Sequence, residues 1–122
     1  MDLREQNFGI EIEITGITRQ RAAEVIGEYF NTSPQYEGGV YGSYYVSDNQ
    51  NRKWKIVSDS SINCQRKVDN RKVIADRDYS VEFVSPICKY EDIGKIQEMV
   101  RELRGAGAFS NKSCGIHIHI NA

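Results

Sequence analysis

The segment Phe8-Gly9-Ile10-Glu11-Ile12-Glu13-Ile14 carries the clearest structural signal in this 122-residue chain. Its last five residues alternate strictly between isoleucine and glutamate, and a period of two predicts a β-strand. The isoleucines then face one side of a sheet and the two glutamates face the other side. The segment Gly115-Ile116-His117-Ile118-His119-Ile120 alternates in the same way near the other end of the chain. Both strands therefore predict a sheet with one apolar face and one face of titratable side chains.

Two further segments carry apolar residues at helical spacing. We predict one helix from an N-cap at Thr18 to Phe30, because Thr favours the N-cap position and Pro34 biases the residue before it away from helix. A second helix is predicted over Glu91 to Arg104, where acidic residues in the first turn suit the helix dipole. We expect its buried face to consist of Ile93, Ile96, Val100 and Leu103.

The middle of the chain predicts three more strands, over Val40 to Val46, Lys53 to Val57 and Tyr79 to Val84. Residues 64–78 are polar and charged, and they predict either a long loop or a protruding hairpin around Asp69-Asn70. The order β-α-β-β-β-α-β favours an α+β fold with a mainly antiparallel sheet and both helices packed on one face. Residues 1–122 are expected to form a single domain.

Composition narrows the class of protein. Hydrophobic residues make up 39% and charged residues 27%, and the formal net charge is −1. This balance argues against a globally basic nucleic-acid binder, although it permits a local basic patch. There is no apolar run of membrane-spanning length, and the N-terminus is too polar for a signal peptide. Three cysteines without a CxxC pair do not suggest a disulfide framework, so we expect a cytoplasmic protein with reduced thiols.

The polar face of the predicted sheet gathers acidic residues and the chain's two histidines. Glu11 and Glu13 project together about 7 Å apart at ordinary strand rise, and His117 and His119 do the same. Glu82 lies inside another predicted strand, and Asp59 follows the strand that contains Trp54. Carboxylates held close repel one another unless a proton or cation lies between them. The pattern predicts a metal-and-anion site, with an ordinary solvated sheet face as the alternative.

A second group of charges is basic and lies in the segment 64–78. It consists of Arg66, Lys67, Arg71, Lys72 and Arg77. Such a group predicts a contact with a partner protein or a nucleic acid, and phosphate binding would show as steep salt dependence. A solvated loop is the alternative interpretation.

Five sequence blocks, in this order, carry a resemblance to a known family. They are Phe8-Gly9-Ile10-Glu11-Ile12-Glu13, Trp54-Lys55-Ile56-Val57-Ser58-Asp59-Ser60-Ser61-Ile62, Val81-Glu82-Phe83-Val84-Ser85-Pro86, Gly107-Ala108 and Ser113-Cys114-Gly115-Ile116-His117-Ile118-His119-Ile120. From about residue 7 to residue 122 the chain resembles the amidoligase family, a branch of the carboxylate–amine ligases with a glutamine synthetase-like fold.

The resemblance implies ATP-dependent formation of an amide between a carboxylate and an amine, with Mg²⁺ and ATP as cofactors. It also implies roles for individual residues. Glu11 and Glu13 resemble the metal ligands of an ExE strand, and Glu82 resembles a further ligand. Asp59, His117 and His119 resemble residues that contact substrate or the metal–phosphate site, and we predict them as catalytic.

Members of the family continue beyond the HxH strand, so we expect this chain to correspond to the N-terminal half of the domain and not to be a complete ligase alone. Its last strand would then offer an unpaired edge, and we expect a homodimer or a partner chain along it. The alternative is an interaction protein of a mobile genetic element, for example an anti-CRISPR that binds a CRISPR nuclease or its guide RNA. A third, hydrolytic reading is metal-dependent phosphodiester cleavage.

Overall fold

A computed structural model describes residues 3–121 of the chain. Two α-helices and eight β-strands form its regular structure. The helices are α1 (Arg19–Phe30) and α2 (Ile93–Gly105), and the strands are β1 (Asn7–Ile14), β2 (Gln35–Gly38), β3 (Ser43–Ser47), β4 (Lys53–Val57), β5 (Gln65–Val68), β6 (Arg71–Ile74), β7 (Val81–Val84) and β8 (Ile116–Asn121). The predicted α+β class with a mainly antiparallel sheet and two helices is confirmed.

Six strands form one sheet in the order β2-β3-β4-β7-β1-β8, and every neighbouring pair is antiparallel. The two strands with alternating sequence are neighbours, so that Glu11 lies opposite His117 and Gly9 lies opposite His119. Strand β8 occupies one edge of this sheet. The sheet topology therefore brings the first and last parts of the sequence together.

One face of the sheet packs against both helices to form the core. Ile12, Ile14, Trp54 and Phe83 point into it from the strands, and the Trp54 and Phe83 rings stack with centroids 5.7 Å apart. The helix α1 begins after the N-cap Thr18, whose side chain accepts a hydrogen bond from the Arg21 amide. This helix matches the predicted bounds because its cap and its apolar stripe are both local signals.

The second helix differs from the prediction at its start. Residues Tyr90–Asp92 form a short 3-10 turn, and α2 begins only at Ile93. Ile93 is exposed rather than buried, whereas Met99, which the predicted face omitted, is fully buried. The 3-10 turn rotates the first residues out of the α-helical phase, because three rather than 3.6 residues make each turn.

The strand predicted over Val40 to Val46 is wrong in its first half. Residues 39–42 form a turn in which Gly39 and Gly42 have positive φ, and β3 begins at Ser43. The preceding strand β2 was not predicted, although it pairs with β3. Glycine adopts a positive φ at little energetic cost, so these residues form a turn where the sequence pattern predicted an extended strand.

Strands β5 and β6, which follow β4 and precede β7 in the chain, form a separate two-stranded hairpin. Asp69 and Asn70 at its tip both have positive φ, which is the backbone of the tight turns that close two-residue hairpins. Of the two predicted possibilities for this segment, the protruding hairpin is therefore confirmed.

The strand predicted from Tyr79 is shorter than expected, because Arg77–Tyr79 form a 3-10 turn before β7.

The structure also bears on membrane association and on the thiols. Within residues 3–121, each helix is too short or too polar to cross a bilayer. Cys64, Cys88 and Cys114 are all free thiols, and the first two are buried. Met1 and Asp2, which begin the polar N-terminal stretch, lie outside the described residues.

Candidate metal centre

The helix-free face of the sheet, called here the open face, carries the acidic residues because of strand alternation and register. In β1 the core side chains Ile12 and Ile14 alternate with Glu11 and Glu13, which therefore point to the open face. Glu13 lies directly opposite Glu82 of β7. The sheet thus sets two carboxylates side by side.

A third carboxylate reaches the same place from the end of β4. Glu82 lies opposite Val57, the last residue of β4, and Asp59 follows two residues later. One carboxylate oxygen each from Glu13, Asp59 and Glu82 lie within 4.8 Å of one another. We call these three residues the acidic cluster.

The carboxylates of the cluster are held by groups around them. The Gly115 amide donates a hydrogen bond to Glu13 Oε1 over 2.7 Å. Both the amide and the hydroxyl of Ser61 donate to Asp59 Oδ1, over 2.8 and 2.7 Å. The Ser61 hydroxyl also lies 3.4 Å from Glu13 Oε2. Ser61 therefore links two members of the acidic cluster.

Hydrogen bonds to the fully buried Ser80 fix the backbone of Asp59. The Asp59 amide donates to Ser80 Oγ over 2.9 Å, and the Ser80 hydroxyl donates to Asp59 O over 2.7 Å. The Arg77 guanidinium donates to the carbonyls of Asp59 and Ile62, over 2.9 and 2.7 Å. These bonds hold the turn after β4 in one conformation, which positions the Asp59 carboxylate.

The protonation of the cluster is strongly perturbed. Burial, together with hydrogen bonding to Glu11, raises the pKa of Glu82 to about 8. The hydrogen bond that Glu13 shares with Asp59 raises the pKa of Glu13 and lowers the pKa of Asp59, which the Ser61 donors lower further. Without a cation, crowded carboxylates share protons in this way because their negative charges repel.

The two histidines meet the remaining glutamate at the edge of the same face. His119 Nε2 lies 3.0 Å from Glu11 Oε1, and His117 Nδ1 lies 3.9 Å from Glu11 Oε2. Hydrogen bonds from Glu82 and His119 lower the pKa of Glu11, against the opposing effect of burial. Both imidazoles are exposed, with 59% and 67% of the side-chain surface of His117 and His119 accessible.

This donor set fits a hard divalent cation. Carboxylate oxygens are the ligands that Mg²⁺ prefers, and a cation would relieve the repulsion that contributes to the raised pKa of Glu13 and of Glu82. The residues that would hold the ion are Glu13, Asp59 and Glu82. Glu11 lies between this cluster and the histidines, where it contacts both.

The structure brings together all six residues predicted for the site, but it groups them differently. Asp59, predicted as catalytic, lies with Glu13 and Glu82, while Glu11, predicted as a metal ligand, pairs with His119. The roles assigned to these residues stay predictions.

Sequence reasoning missed the contributions of Ser61, Ser80 and the Gly115 amide. Ser61 at least stood inside a recognised block, whereas Ser80 precedes a strand and carried no signal.

The predicted basic contact residues divide into two groups. Arg66, Lys67, Arg71 and Lys72 are exposed on the hairpin of β5 and β6. Lys67 lies opposite Lys72, and both ammonium groups lie over the Phe109 ring, 5.3 and 4.9 Å from its centroid. Arg77 is not part of this surface, because its guanidinium binds the backbone near Asp59.

Comparison with known proteins identifies the family. The sequence profile of the family described as "putative amidoligase enzyme" matches residues 4–122. The curated proteins and the solved structures contain no match to the chain. The match spans nearly the whole chain, and it includes the blocks that carry the acidic cluster and both histidines. This chain therefore belongs to the amidoligase family.

Proposed function

We propose that the open face is the metal and phosphate end of an ATP-dependent carboxylate–amine ligase site. The observation that carries the proposal is the acidic cluster, whose three carboxylate oxygens lie within 4.8 Å of one another on a sheet face free of helices. Membership of the amidoligase family supplies the reaction class. When bound there, Mg²⁺ would neutralise the charge of a transferring phosphoryl group.

The residues of the chain have separate tasks in this proposal. Glu13, Asp59 and Glu82 hold the metal, and the Gly115 amide and Ser61 orient two of these carboxylates. Glu11 holds the His119 ring in place through its 3.0 Å contact. A charged imidazole binds phosphate or carboxylate, so the exposed histidines are placed to contact an anionic substrate beside the metal.

Calorimetric titration of the purified chain with Mn²⁺ and with Mg²⁺ tests the centre directly. We expect one bound ion and a loss of affinity of about tenfold or more in Glu13→Gln, because a neutral amide is a weaker ligand than a carboxylate. Glu24→Gln, an exposed residue of α1, is the matched control and should bind like the unmodified chain. Equal affinity in Glu13→Gln and Glu24→Gln would contradict the proposal.

A titration with ATP in the presence of Mg²⁺ then tests the nucleotide. Binding that is lost in Glu13→Gln but kept in Glu24→Gln is the expected result. If Glu13→Gln weakens metal binding but leaves the affinity for ATP unchanged, the metal centre is supported and the ligase site is contradicted.

We infer a second candidate function from the hairpin, namely binding of a nucleic acid as an interaction protein. Its four exposed cations have no carboxylate within ion-pair distance among the described residues, and like charges lie directly opposite each other at Lys67 and Lys72. Opposed like charges are unfavourable, and an anionic partner would relieve them. A guide RNA of a CRISPR nuclease is one such partner.

Fluorescence anisotropy with a labelled single-stranded RNA at several salt concentrations tests this second function. Replacing Lys67 and Lys72 by Gln should reduce the slope of log affinity against log salt by about 0.7 for each lost phosphate contact. The double variant Arg101→Gln, Lys112→Gln changes the net charge equally at exposed positions elsewhere and is the control. An identical slope in both variants would contradict the role of the hairpin.

A further inference from the structure

The open face continues beyond the acidic cluster onto β4. Trp54 and Ile56 of this strand are fully buried in the core, so the residues that alternate with them, Lys53 and Lys55, stand on the open face. Both lysines are exposed. The face that carries the carboxylates therefore also carries two cations.

The sheet register fixes how far these cations lie from the acidic residues. Val84 of β7 lies opposite Glu11 on one side and opposite Lys55 on the other. Lys55 is thus two strands away from Glu11 in the same row, roughly 10 Å at ordinary strand spacing. The apolar side chain of Val84 stands between them, so that the two charges are neighbours across the face without forming an ion pair.

The charges of the two lysines are not balanced by an acid. For residues 3–121, neither ammonium group has a carboxylate within ion-pair distance. The Lys53 ammonium lies 4.4 Å from the centroid of the Tyr45 ring, and Tyr45 is the cross-strand partner of Lys55. Tyr45 therefore holds one cation in place by a cation–π contact while the other projects freely.

We propose that Lys55, with Lys53 beside it, forms a phosphate-binding subsite on the open face. A polyphosphate chain would bind the lysines at one end, and its other oxygens would meet a divalent cation in the acidic cluster. This assignment rests on the proposed function, since it extends the metal centre to a second subsite for the same ligand. The two lysines project about 7 Å apart along β4, and a shared anion would relieve their mutual repulsion.

Calorimetry with inorganic tripolyphosphate as the probe tests the subsite, in the presence and in the absence of Mg²⁺. We expect Lys55→Gln to weaken binding about tenfold, the effect of losing one charge-assisted hydrogen bond. Lys55→Arg should retain most of the affinity because it keeps the charge. Arg101→Gln removes an exposed charge from α2, which packs against the other face of the sheet, and this variant should bind like the unmodified chain.

Titration of the same variants with Mn²⁺ separates this inference from the metal centre. Lys55→Gln should bind Mn²⁺ normally, and Glu13→Gln should not. Unchanged tripolyphosphate affinity in Lys55→Gln, or no tripolyphosphate binding by the unmodified chain, would overturn the subsite. Failure of the unmodified chain to bind Mn²⁺ would instead overturn the metal centre, and the effect of Lys55→Gln without metal would still decide the subsite.

Discussion

At the scale of single residues, the least conspicuous side chain near the acidic cluster has a large structural role. Ser80 is fully buried and bonds both the amide and the carbonyl of Asp59, and its oxygen also lies 3.2 Å from the Ser58 hydroxyl. Arg19, itself buried, donates to the carbonyls of Ser80 and Arg77. A continuous network therefore reaches from the start of α1 to a predicted metal ligand.

We predict that Ser80→Ala lowers metal affinity roughly tenfold, as removal of groups that orient metal ligands commonly does. It should also lower the free energy of unfolding by about 1–3 kcal/mol, since the partly buried amide of Asp59 loses its hydrogen-bond partner. Mn²⁺ calorimetry and urea denaturation measure the two effects. Ser58→Ala is the control, because it removes a neighbouring hydroxyl and leaves both Asp59 bonds intact. Equal metal affinity in Ser80→Ala and Ser58→Ala would rule out a positioning role.

At the scale of secondary-structure elements, one arginine joins the turn between β3 and β4 to the start of α2. The Arg52 guanidinium donates to both oxygens of Asp92 over 2.9 Å and to Asp48 Oδ2 over 2.8 Å. The Trp54 indole donates to the same oxygen of Asp48. Both carboxylates are almost completely buried. The helix is thus tied to the sheet by a charged network rather than by apolar contacts alone.

This network predicts a loss of stability in acid. Hydrogen bonding to Arg52 lowers the pKa of Asp92. Burial alone would raise the pKa of Asp48, but hydrogen bonds from Trp54, Arg52 and Gln50 lower it overall. Because the folded-state pKa of each carboxyl lies below its ordinary value of 3.8, the network stabilises the fold above that pH. This contribution is lost as the pH falls through the lower folded-state pKa values.

We predict that Arg52→Met destabilises the chain by about 3 kcal/mol at pH 7, because two buried carboxylates lose their counterion. The difference from the unmodified chain should shrink as both aspartates are protonated. Urea denaturation at pH 7 and near pH 3 measures it. Arg21→Met is the control, since the exposed ion pair of Arg21 with Glu28 should contribute no more than about 1 kcal/mol. A pH-independent difference would contradict the prediction.

At the scale of the whole molecule, the edge strand β8 presents an uncovered apolar stripe. Ile116, Ile118 and Ile120 lie on the core side of the sheet, opposite Ile12, Ile10 and Phe8, yet between 60% and 63% of each remains exposed. The helices cover the centre of the sheet and leave this edge open. An exposed strand with apolar side chains is a template for pairing with another chain.

We predict that the chain self-associates along β8 at high concentration. An antiparallel pair centred on Ile118 would place isoleucine against isoleucine across the interface, so the strand is complementary to a second copy of itself. Light scattering after size-exclusion chromatography should show a dimer for the unmodified chain and a monomer for Ile118→Lys at the same concentration. Val40→Lys is the control, since Val40 is 93% exposed in a turn at the far side of the sheet. A monomer at every concentration would contradict this prediction.

The features that the sequence predicted correctly depend on local signals. The alternation of isoleucine with glutamate predicted β1, and the cap at Thr18 and the apolar stripe predicted α1. Asp69-Asn70 indicated a hairpin tip as one of two possibilities for its segment. The Gly-rich stretch before β3 was mispredicted because Gly39 and Gly42 adopt positive φ and form a turn, and the pairing between β2 and β3 then determines which residues on either side are extended. Strand and helix boundaries elsewhere shifted where 3-10 turns intervened, since these leave little trace in hydrophobic spacing.

Which faces of the sheet carry charge follows from the sequence alone, because the period of two in a strand fixes the side on which each residue points. The alternation therefore places Glu11, Glu13, Glu82 and both histidines on polar strand faces before any strand is paired. The grouping of these side chains depends on the tertiary structure. Strand order and register place Glu13 beside Glu82 and Glu11 beside His117. Hydrogen bonds from the buried Ser80 position Asp59, which lies in the turn after β4. Register depends on contacts between residues distant in the chain, and a local pattern carries no record of them.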